Sequence, residues 1–504
     1  MNAIQVASSK FRRFYHWGLL LTILWLAFTA RLIEMRGDNL WFDEAIEFNV
    51  ANRPIQDVIA ADRAMTHDPP LFSLILNLWM QNGRGDFYLQ MLPILFSVMA
   101  VAVTYVLGRL AFSSGVGLLS ALLVAVAPRS VYYGQEVNQY ALVSLLAALC
   151  PLLLERYIRR PSLGRLLPFV VAVAAAMVTH YALALYSIAL ALVGTIYLLQ
   201  YAWKDMRRPL VYWVAGLCVL GLIGLGLLWS YALPQKARLR ADFAPVRFGG
   251  SISLISELRG WSFQTVEVLR FLFWGPDPTP LQWLTITLLA VGVVIGLRTT
   301  PGRRIVAYLI TSLIVAYVAA GFGFLVYAHR YMWLAFPLCV LPVCSGILLP
   351  GWSWVSRTLR PISMGLAAIL IGLLIAQLPV LSGKPFPETE LFGDVVRYVE
   401  ARYLPDDTVY VYYGGRPAFE AYASDQLSKV AVVETWSRGL PAEEQQTGLW
   451  TIVGGKPRAW LLMTHVYPGE DSILLSLLNA KCRQIDAVTS TRAMGYLFDC
   501  AAPR

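Results

Sequence analysis

The sequence predicts a polytopic α-helical membrane protein of about eleven transmembrane helices, with interfacial helices in its outer loops and a small C-terminal α/β domain. Three observations predict it. The 504 residues are 57% hydrophobic and only 14% charged, where a soluble domain carries about 25% charged residues; the mean hydropathy is +0.57. Apolar runs near the ~20-residue length that crosses a bilayer recur along most of the chain. From about Pro385 the composition turns polar and mixed. The alternating ~10-residue strands of a transmembrane barrel are not evident.

The spans fall at about 15–33, 88–110, 114–131, 139–156, 165–181, 183–203, 210–232, 280–297, 304–324, 330–349 and 361–381. The first has the basic flank and apolar body of a signal peptide, but the chain returns to the membrane repeatedly, so an uncleaved first span is the simpler expectation. The net charge of +10 sits in short gaps between apolar runs: Lys10, Arg12 and Arg13; Arg156, Arg159, Arg160 and Arg165; Lys204, Arg207 and Arg208; Arg298, Arg303 and Arg304; Arg357 and Arg360. These gaps alternate with gaps poorer in Lys and Arg, which is the positive-inside pattern. The surplus charge therefore orients the protein and calls for no nucleic acid. It places the N-terminus in the cytoplasm and the chain in the plasma (inner) membrane. The odd span count puts the tail in the periplasm or outside the cell. The expected division is a transmembrane domain, 1–384, and an extracytoplasmic α/β domain, 385–504.

Two outer loops are more than connectors. The first, about 34–87, holds "LWFDEAIEFNVA", with apolar residues at helical spacing, and "PPLFSLILNLWMQN". The latter is an apolar stretch too short to span, suited to an interfacial or re-entrant helix. The second, about 233–279, contains the amphipathic "ISLISELRGWSFQTVEVLRFLFWG", whose tryptophans suit the headgroup region. In the tail, "ELFGDVVRYVEARY" and "GEDSILLSLLNAK" read as helices, and "DTVYVYYG", "VAVVET" and "RAWLLMTH" as strands. The double glycines of "YYGGRP" and "VGGKPR" match no phosphate-binding fingerprint and read as turns. Cys150, Cys218, Cys339 and Cys344 lie in apolar spans as packing residues. Cys482 and Cys500 flank a last hairpin, where an oxidising compartment permits a disulfide but an unknown strand register leaves it open.

Polar groups collect at the outer edge. Asp43 and Glu44 follow the first span, and His67 and Asp68 precede Pro69 and Pro70. "SVYYGQEVNQYAL" carries Tyr132, Tyr133, Glu136 and Tyr140; "VTHYAL" carries His180 and Tyr181; "YAHRYMW" carries His329, Arg330 and Tyr331. Ionisable groups at membrane depth are costly and are functional candidates by default. Each has a plainer role open to it. Asp43, Glu44 and Glu136 could serve helix N-termini, Arg330 could reach headgroups, His180 could be a hydrogen-bonded core residue, and the tyrosines could belong to the interfacial belt. Their occurrence together on one face favours chemistry. The set suits transfer of a sugar from a polyprenyl phosphate to a hydroxyl. A carboxylate takes the acceptor's proton, a nearby carboxylate stabilises the oxocarbenium-like centre, and a guanidinium matches the departing phosphate.

At these residues the chain resembles the membrane-embedded C-type glycosyltransferase superfamily, particularly the branch of protein O-mannosyltransferases and the lipid A aminoarabinose transferase. The resemblance rests on "LWFDEA", "HDPPLF", "LPILFSVMAVAVTYVLGRLAF", "YYGQEVNQYAL", "THYAL" and "HRYMWLAFP" in that order. It implies a bundle of about eleven to thirteen spans, an active site at the outer face, a polyprenyl-phosphate sugar donor, and the acid of the first outer loop as base. On this sequence that acid is Asp43, with Glu44 beside it. His67, Asp68, Tyr133, Glu136, Tyr140, His180, Arg330 and Tyr331 are the candidate substrate-binding residues. Many relatives have an arginine two or three residues after the glutamate of "YYGQE". Here those positions are Asn138 and Gln139, so another arginine, Arg330 or Arg129, would have to grip the donor. Some relatives use a divalent metal. Asp43, Glu44, His67 and Asp68 could supply ligands for one, but adjacent helical acids point about 100° apart, and a metal-free site is favoured. The expected partners are the lipid-linked donor, a glycan, lipid or protein acceptor, and the surrounding lipids. A transporter or flippase of lipid-linked sugars is the opposing class, but the chain shows no obvious internal repeat and its acids lie in a loop. A glycan polymerase or ligase would also use such donors.

Overall fold

The computed structural model describes residues 3–33, 35, 39–201, 207–236, 254–273, 280–328, 330–348, 360–382, 389–433 and 441–501. Lys204, His329 and Arg357 lie outside them. Contacts divide the chain into two compact units. The first comprises Met1–Met35, Asp62–Phe72 and Gln90–Lys384; the second comprises Arg36–Ala61, Ser73–Leu89 and Pro385–Arg504.

In chain order, α1 is Ala3–Ile33, α2 Phe42–Ala51, α3 Ile55–Met65, α4 Leu71–Met80, α5 Asp86–Ala111, α6 Ser114–Val126, α7 Pro128–Tyr133, α8 Tyr140–Arg159, α9 Leu163–Met177, α10 Tyr181–Tyr201 and α11 Arg207–Leu227. Then come α12 Leu254–Phe273, α13 Pro280–Gly296, α14 Thr300–Gly321, α15 Ala335–Leu348, α16 Arg360–Ala376 and α17 Pro379–Ser382. Among the described residues six helices are long and apolar enough to cross a membrane: Tyr15–Ile33, Asp86–Ala111, Tyr140–Arg159, Tyr181–Gln200, Arg208–Lys236 and Thr300–Gly321. The chain is a multi-pass membrane protein. The other five expected spans hold shorter apolar helices, from the 13 residues of α6 to the 17 of α13 and α16.

The expected span 114–131 is interrupted. Pro128 cannot donate to the α6 ladder, and it drives Ala127 to φ −62°, ψ 127°, so the helix ends and α7 starts in a new direction. The carbonyls freed there have a partner. Arg31 is fully buried and donates to the carbonyls of Ala125 (3.0 Å), Val124 (3.3 Å) and Ser130 (3.3 Å), and to Ser97 Oγ (2.8 Å). A cation at a helix C-terminus is where the helix dipole favours one. Arg304, expected to contribute to the cytoplasmic surface charge, is instead buried against Glu155 of α8. Its Nε and Nη2 each lie 2.6 Å from a carboxylate oxygen. Helix contacts in this unit use small residues. A Cβ on Gly292 of α13 would stand 1.7 Å from the Pro342 carbonyl of α15, so only glycine permits that approach.

The second unit holds α2, the ends of α3–α5 flanking it, and a five-stranded sheet. Its remaining elements are α18 (Phe392–Glu400), β1 (Thr408–Val411), α19 (Arg416–Tyr422), α20 (Asp425–Val430), β2 (Ala431–Val433), α21 (Ala442–Val453), β3 (Ala459–Thr464), α22 (Glu470–Lys481), β4 (Arg483–Ser490) and β5 (Ala493–Asp499). The order is β2-β1-β3-β5-β4, with β2, β1 and β3 parallel and β5 antiparallel to both neighbours. Every residue of β3 is buried, as a central strand covered on both faces requires. Leu449, Val453, Leu474 and Leu478 pack with Tyr410, Leu461 and Phe498 in its core. A Cys482–Cys500 disulfide joins the open end of the β4–β5 hairpin. The first outer loop is bound into this unit: the Leu40 amide donates to Tyr422 Oη, which donates to Asp86 Oδ2 at 2.6 Å, and Asn49 Nδ2 donates to the Pro417 carbonyl.

Candidate active site

In the first unit, the helix ends bring most of the candidate residues into one network. Pro69 and Pro70 stop α3 from continuing, and Asp68 occupies that break. Its Oδ2 accepts a hydrogen bond from Gln139 Nε2 at 2.7 Å, and its Oδ1 lies 3.5 Å from His180 Nε2. His180 sits in the break between α9 and α10, wholly buried. Its Nδ1 accepts from the Ala182 amide at 3.0 Å. A neutral ring that accepts at Nδ1 carries its proton on Nε2.

Tyr140 begins α8, and its ring lies 6.2 Å from that of His180. Arg330, in the turn before α15, donates from Nε to Tyr140 Oη at 2.6 Å and lies 3.3 Å from Glu136 Oε1 through Nη2. Glu136 is fully buried, so the guanidinium offsets a charge that would otherwise be costly. Tyr331 approaches His180 from the same turn, 6.0 Å between rings. Tyr133 packs against Tyr140 and Trp333, 4.8 Å from each. Arg129 is buried with its guanidinium 5.6 Å from the Tyr132 ring.

Beside this network runs an apolar groove of about 840 Å³, lined among others by Met177, Tyr181, Leu192, Gly221, Gly224 and Leu228. At Leu228–Ala232 the helix that continues α11 widens to a π-helical turn, a form common at functional sites. Tyr181, Ala232 and Phe324 also border a small polar cavity lined by His67, Gln235 and Lys236. Gln235 accepts from Tyr181 Oη at 2.6 Å, and Lys236 Nζ stands 3.9 Å over the Phe324 ring. Gln235 and Lys236 were not singled out from the sequence. Their signal was a lysine at the outer edge of a span, beside an interfacial loop.

Asp43 and Glu44 belong to the second unit. Both lie in the first turn of α2. Glu44 is fully buried and folds back to accept the Trp41 amide at 3.1 Å, which caps the helix. Asp43 is half-buried. Phe42, one residue before it, stacks on His465 with ring centroids 4.1 Å apart. Among the described residues no three His, Cys, Asp or Glu side chains gather as a metal site requires.

Residues 67–229 match the family described as dolichyl-phosphate-mannose-protein mannosyltransferase. Among solved structures, the chain is similar to ArnT from Cupriavidus metallidurans in the apo state, at 11% identity and TM-score 0.56, over 97% of this chain and 99% of that one. The match to the mannosyltransferase family covers less than half of the chain, and the likeness to ArnT is one of fold. The fold is also similar to that of ArnT bound to undecaprenyl phosphate, at 12% identity and TM-score 0.53 over 95% and 97% of the two chains. It is similar again to that of the archaeal oligosaccharyltransferase AglB from Archaeoglobus fulgidus, solved with an inhibitory peptide and a dolichol-phosphate. That match has 10% identity and TM-score 0.55, over 96% of this chain and 74% of that one. No curated protein matches the sequence. The match to the mannosyltransferase family begins at His67 and takes in Asp68, Tyr133, Glu136, Tyr140 and His180.

Proposed function

We propose that this protein transfers a sugar from a polyprenyl-phosphate donor to a hydroxyl-bearing acceptor at the outer face of the plasma membrane, with inversion and with Asp43 as general base. One observation carries the donor class: an apolar groove of about 840 Å³ that borders a small cavity holding Lys236 and His67. A polyprenyl tail suits such a groove, and a cation at its polar end suits a phosphate. ArnT with undecaprenyl phosphate and AglB with a dolichol-phosphate support the same donor class. The eleven-span topology, the cytoplasmic N-terminus and the outer tail remain part of this reading. The Cys482–Cys500 disulfide supports an oxidising compartment for the tail.

The chemistry follows from the side chains. The acceptor oxygen attacks the anomeric carbon from the face opposite the phosphate, and its proton passes to Asp43. The bond between the anomeric carbon and the phosphate oxygen breaks. The leaving group is a phosphate monoester held by Lys236, so it needs no strong acid. Asp68, held by Gln139, acts on the donor side to stabilise the positive charge that develops on the sugar. Arg330 keeps Glu136 and Tyr140 in place, Tyr133 supports Tyr140 from behind, and Tyr331 offers an aromatic face to the ring.

The test uses purified protein in lipid nanodiscs, a radiolabelled polyprenyl-phosphate sugar, and membranes of the producing cell as the acceptor source. Acceptor-dependent release of unlabelled polyprenyl phosphate is expected; movement of intact donor across the bilayer with no release would mean transport instead. Asp43→Asn is expected to cut the rate by about 10²–10⁴-fold with unchanged elution on size exclusion. A second assignment is open because Asp68 shares a unit with the groove. Normal turnover by Asp43→Asn with none by Asp68→Asn would move the base to Asp68.

A further inference from the structure

The sheet of the second unit carries a feature that the transfer chemistry leaves unused. The chain leaves β1 through α19 and α20 toward β2 on one side, and leaves β3 through α22 toward β4 on the other. Neighbouring parallel strands whose connections part in this way open a crevice at their carboxyl ends, and open α/β sheets bind ligands there. The two exits press together: a Cβ on Gly414 would stand 2.7 Å from the His465 carbonyl and 3.0 Å from that of Thr464.

The residues at this point are chemically selective. Tyr412 and Tyr413 follow β1, and both donate to Glu470 Oε2 at the start of α22. His465 and Tyr467 follow β3. His465 holds a left-handed backbone, φ 51°, which costs a non-glycine residue roughly 1 kcal/mol or more and tends to occur where function demands it. Its ring stacks on Phe42 and stands edge-on to Tyr467, while Tyr467 stacks on Tyr413 at 6.1 Å. Its Nδ1 lies 2.9 Å from Glu390 Oε1. Glu390 is 3% exposed, and its second oxygen, Oε2, is buried with no hydrogen-bond partner among the described residues. A buried carboxylate oxygen in that state requires a donor.

We propose that the crevice between the carboxyl ends of β1 and β3 binds a neutral, hydroxyl-rich carbohydrate, with Glu390 accepting from its hydroxyls and Phe42, His465, Tyr413 and Tyr467 packing on its apolar faces. The two carboxylates among these groups, Glu390 and Glu470, disfavour phosphorylated or acidic ligands. Phe42 directly precedes Asp43, so a glycan held here is tethered one residue from the proposed base. As the acceptor's anchor the crevice rests on the transferase reading; as a carbohydrate site it stands without it.

The experiment uses the full-length protein in nanodiscs and saturation-transfer NMR. The probes are neutral tetrasaccharides of mannose, glucose, galactose and N-acetylglucosamine, with a glucosamine tetramer and a galacturonate tetramer as cationic and anionic counterparts. At least one neutral probe should bind in preference to both charged ones. Glu390→Gln and Tyr467→Ala should each weaken it tenfold or more, while undecaprenyl phosphate binding, measured on the same samples, stays at the wild-type value. Absence of neutral-probe binding, preference for a charged tetramer, or wild-type affinity in Glu390→Gln would overturn the proposal. Loss of glycan binding in the variants, together with a wild-type protein that releases no polyprenyl phosphate, would leave the crevice standing and remove the transferase reading.

Discussion

Replacing Arg304 by Met should unfold the bundle more easily by about 3–5 kcal/mol, because it strands a buried carboxylate without its cation. Glu155 is fully buried and Arg304 is 4% exposed. Both contacts of the fork are 2.6 Å, Tyr308 Oη adds a third to Glu155 at 3.2 Å, and the guanidinium lies 5.3 Å from the Tyr197 ring. In such a pair the attraction roughly repays desolvation, so the pair itself is worth little against an apolar replacement while half of it is expensive. Glu155→Met with Arg304→Met should therefore recover most of the loss. The remainder is the Tyr308 hydroxyl left without its acceptor, at a cost of about 1–3 kcal/mol, and adding Tyr308→Phe should remove it. Reversible unfolding in mixed micelles, titrated with SDS, supplies the four free energies for the cycle. A single Arg304→Met variant as stable as wild type, or a double variant whose loss is the plain sum of the two single ones, would refute the buried-pair argument and return Arg304 to the cytoplasmic surface.

Gly221→Leu should fill the groove, where a Cβ meets nothing within 4 Å, and raise KM for the lipid donor about tenfold with kcat little changed, as loss of uniform binding does; steady-state kinetics at varied donor read it directly. Gly292→Ala should destabilise the α13–α15 contact by roughly 1–3 kcal/mol through overpacking, seen as a lower SDS midpoint. Reducing the Cys482–Cys500 bond, whose partners are 18 residues apart, should cost the second unit about 3 kcal/mol, read by urea unfolding with and without reductant. Burial, and after it the Asp86 carboxylate, push the Tyr422 phenol well above the usual tyrosine range. The stability this gives is complete below about pH 10 and is lost as pH rises further. Urea midpoints should therefore fall above that pH, and less steeply in Tyr422→Phe.

Which parts were legible in the sequence follows from the range of the forces involved. Span positions and the strands "DTVYVYYG" and "RAWLLMTH" depend on local composition, and β1 and β3 lie within those strings. The polar candidates of the first unit sit at helix breaks marked by Pro or by short motifs, so a periodicity argument finds them, and the fold joins Asp68, His180, Tyr140, Arg330 and Glu136. The π-helical turn at Leu228–Ala232 and the Lys236 beyond it have no such marker. Nor does the binding of "LWFDEA" to the sheet unit, which depends on Tyr422 meeting Leu40 and Asp86 across more than 300 residues. Nor does the burial of Arg304: a basic residue in a polar gap looks alike whether it faces water or a distant glutamate.

The departure at Gln139 gains a physical meaning from the geometry. Where many relatives are expected to place an arginine near this point, Gln139 donates one neutral hydrogen bond to Asp68 Oδ2 at 2.7 Å. An arginine there would pair with that carboxylate and spend its charge. Glutamine orients the group without neutralising it, and the His180 ring, whose Nδ1 accepts from the Ala182 amide, stands 3.5 Å from the other oxygen. In the proposed transfer, Asp68 faces the positive centre and the cation for the phosphate comes from elsewhere. In that proposal Lys236, which lines the small cavity beside the groove, supplies it, while Arg330 holds Glu136 and Tyr140. The missing arginine and the unexpected lysine are two sides of one redistribution of charge within the site.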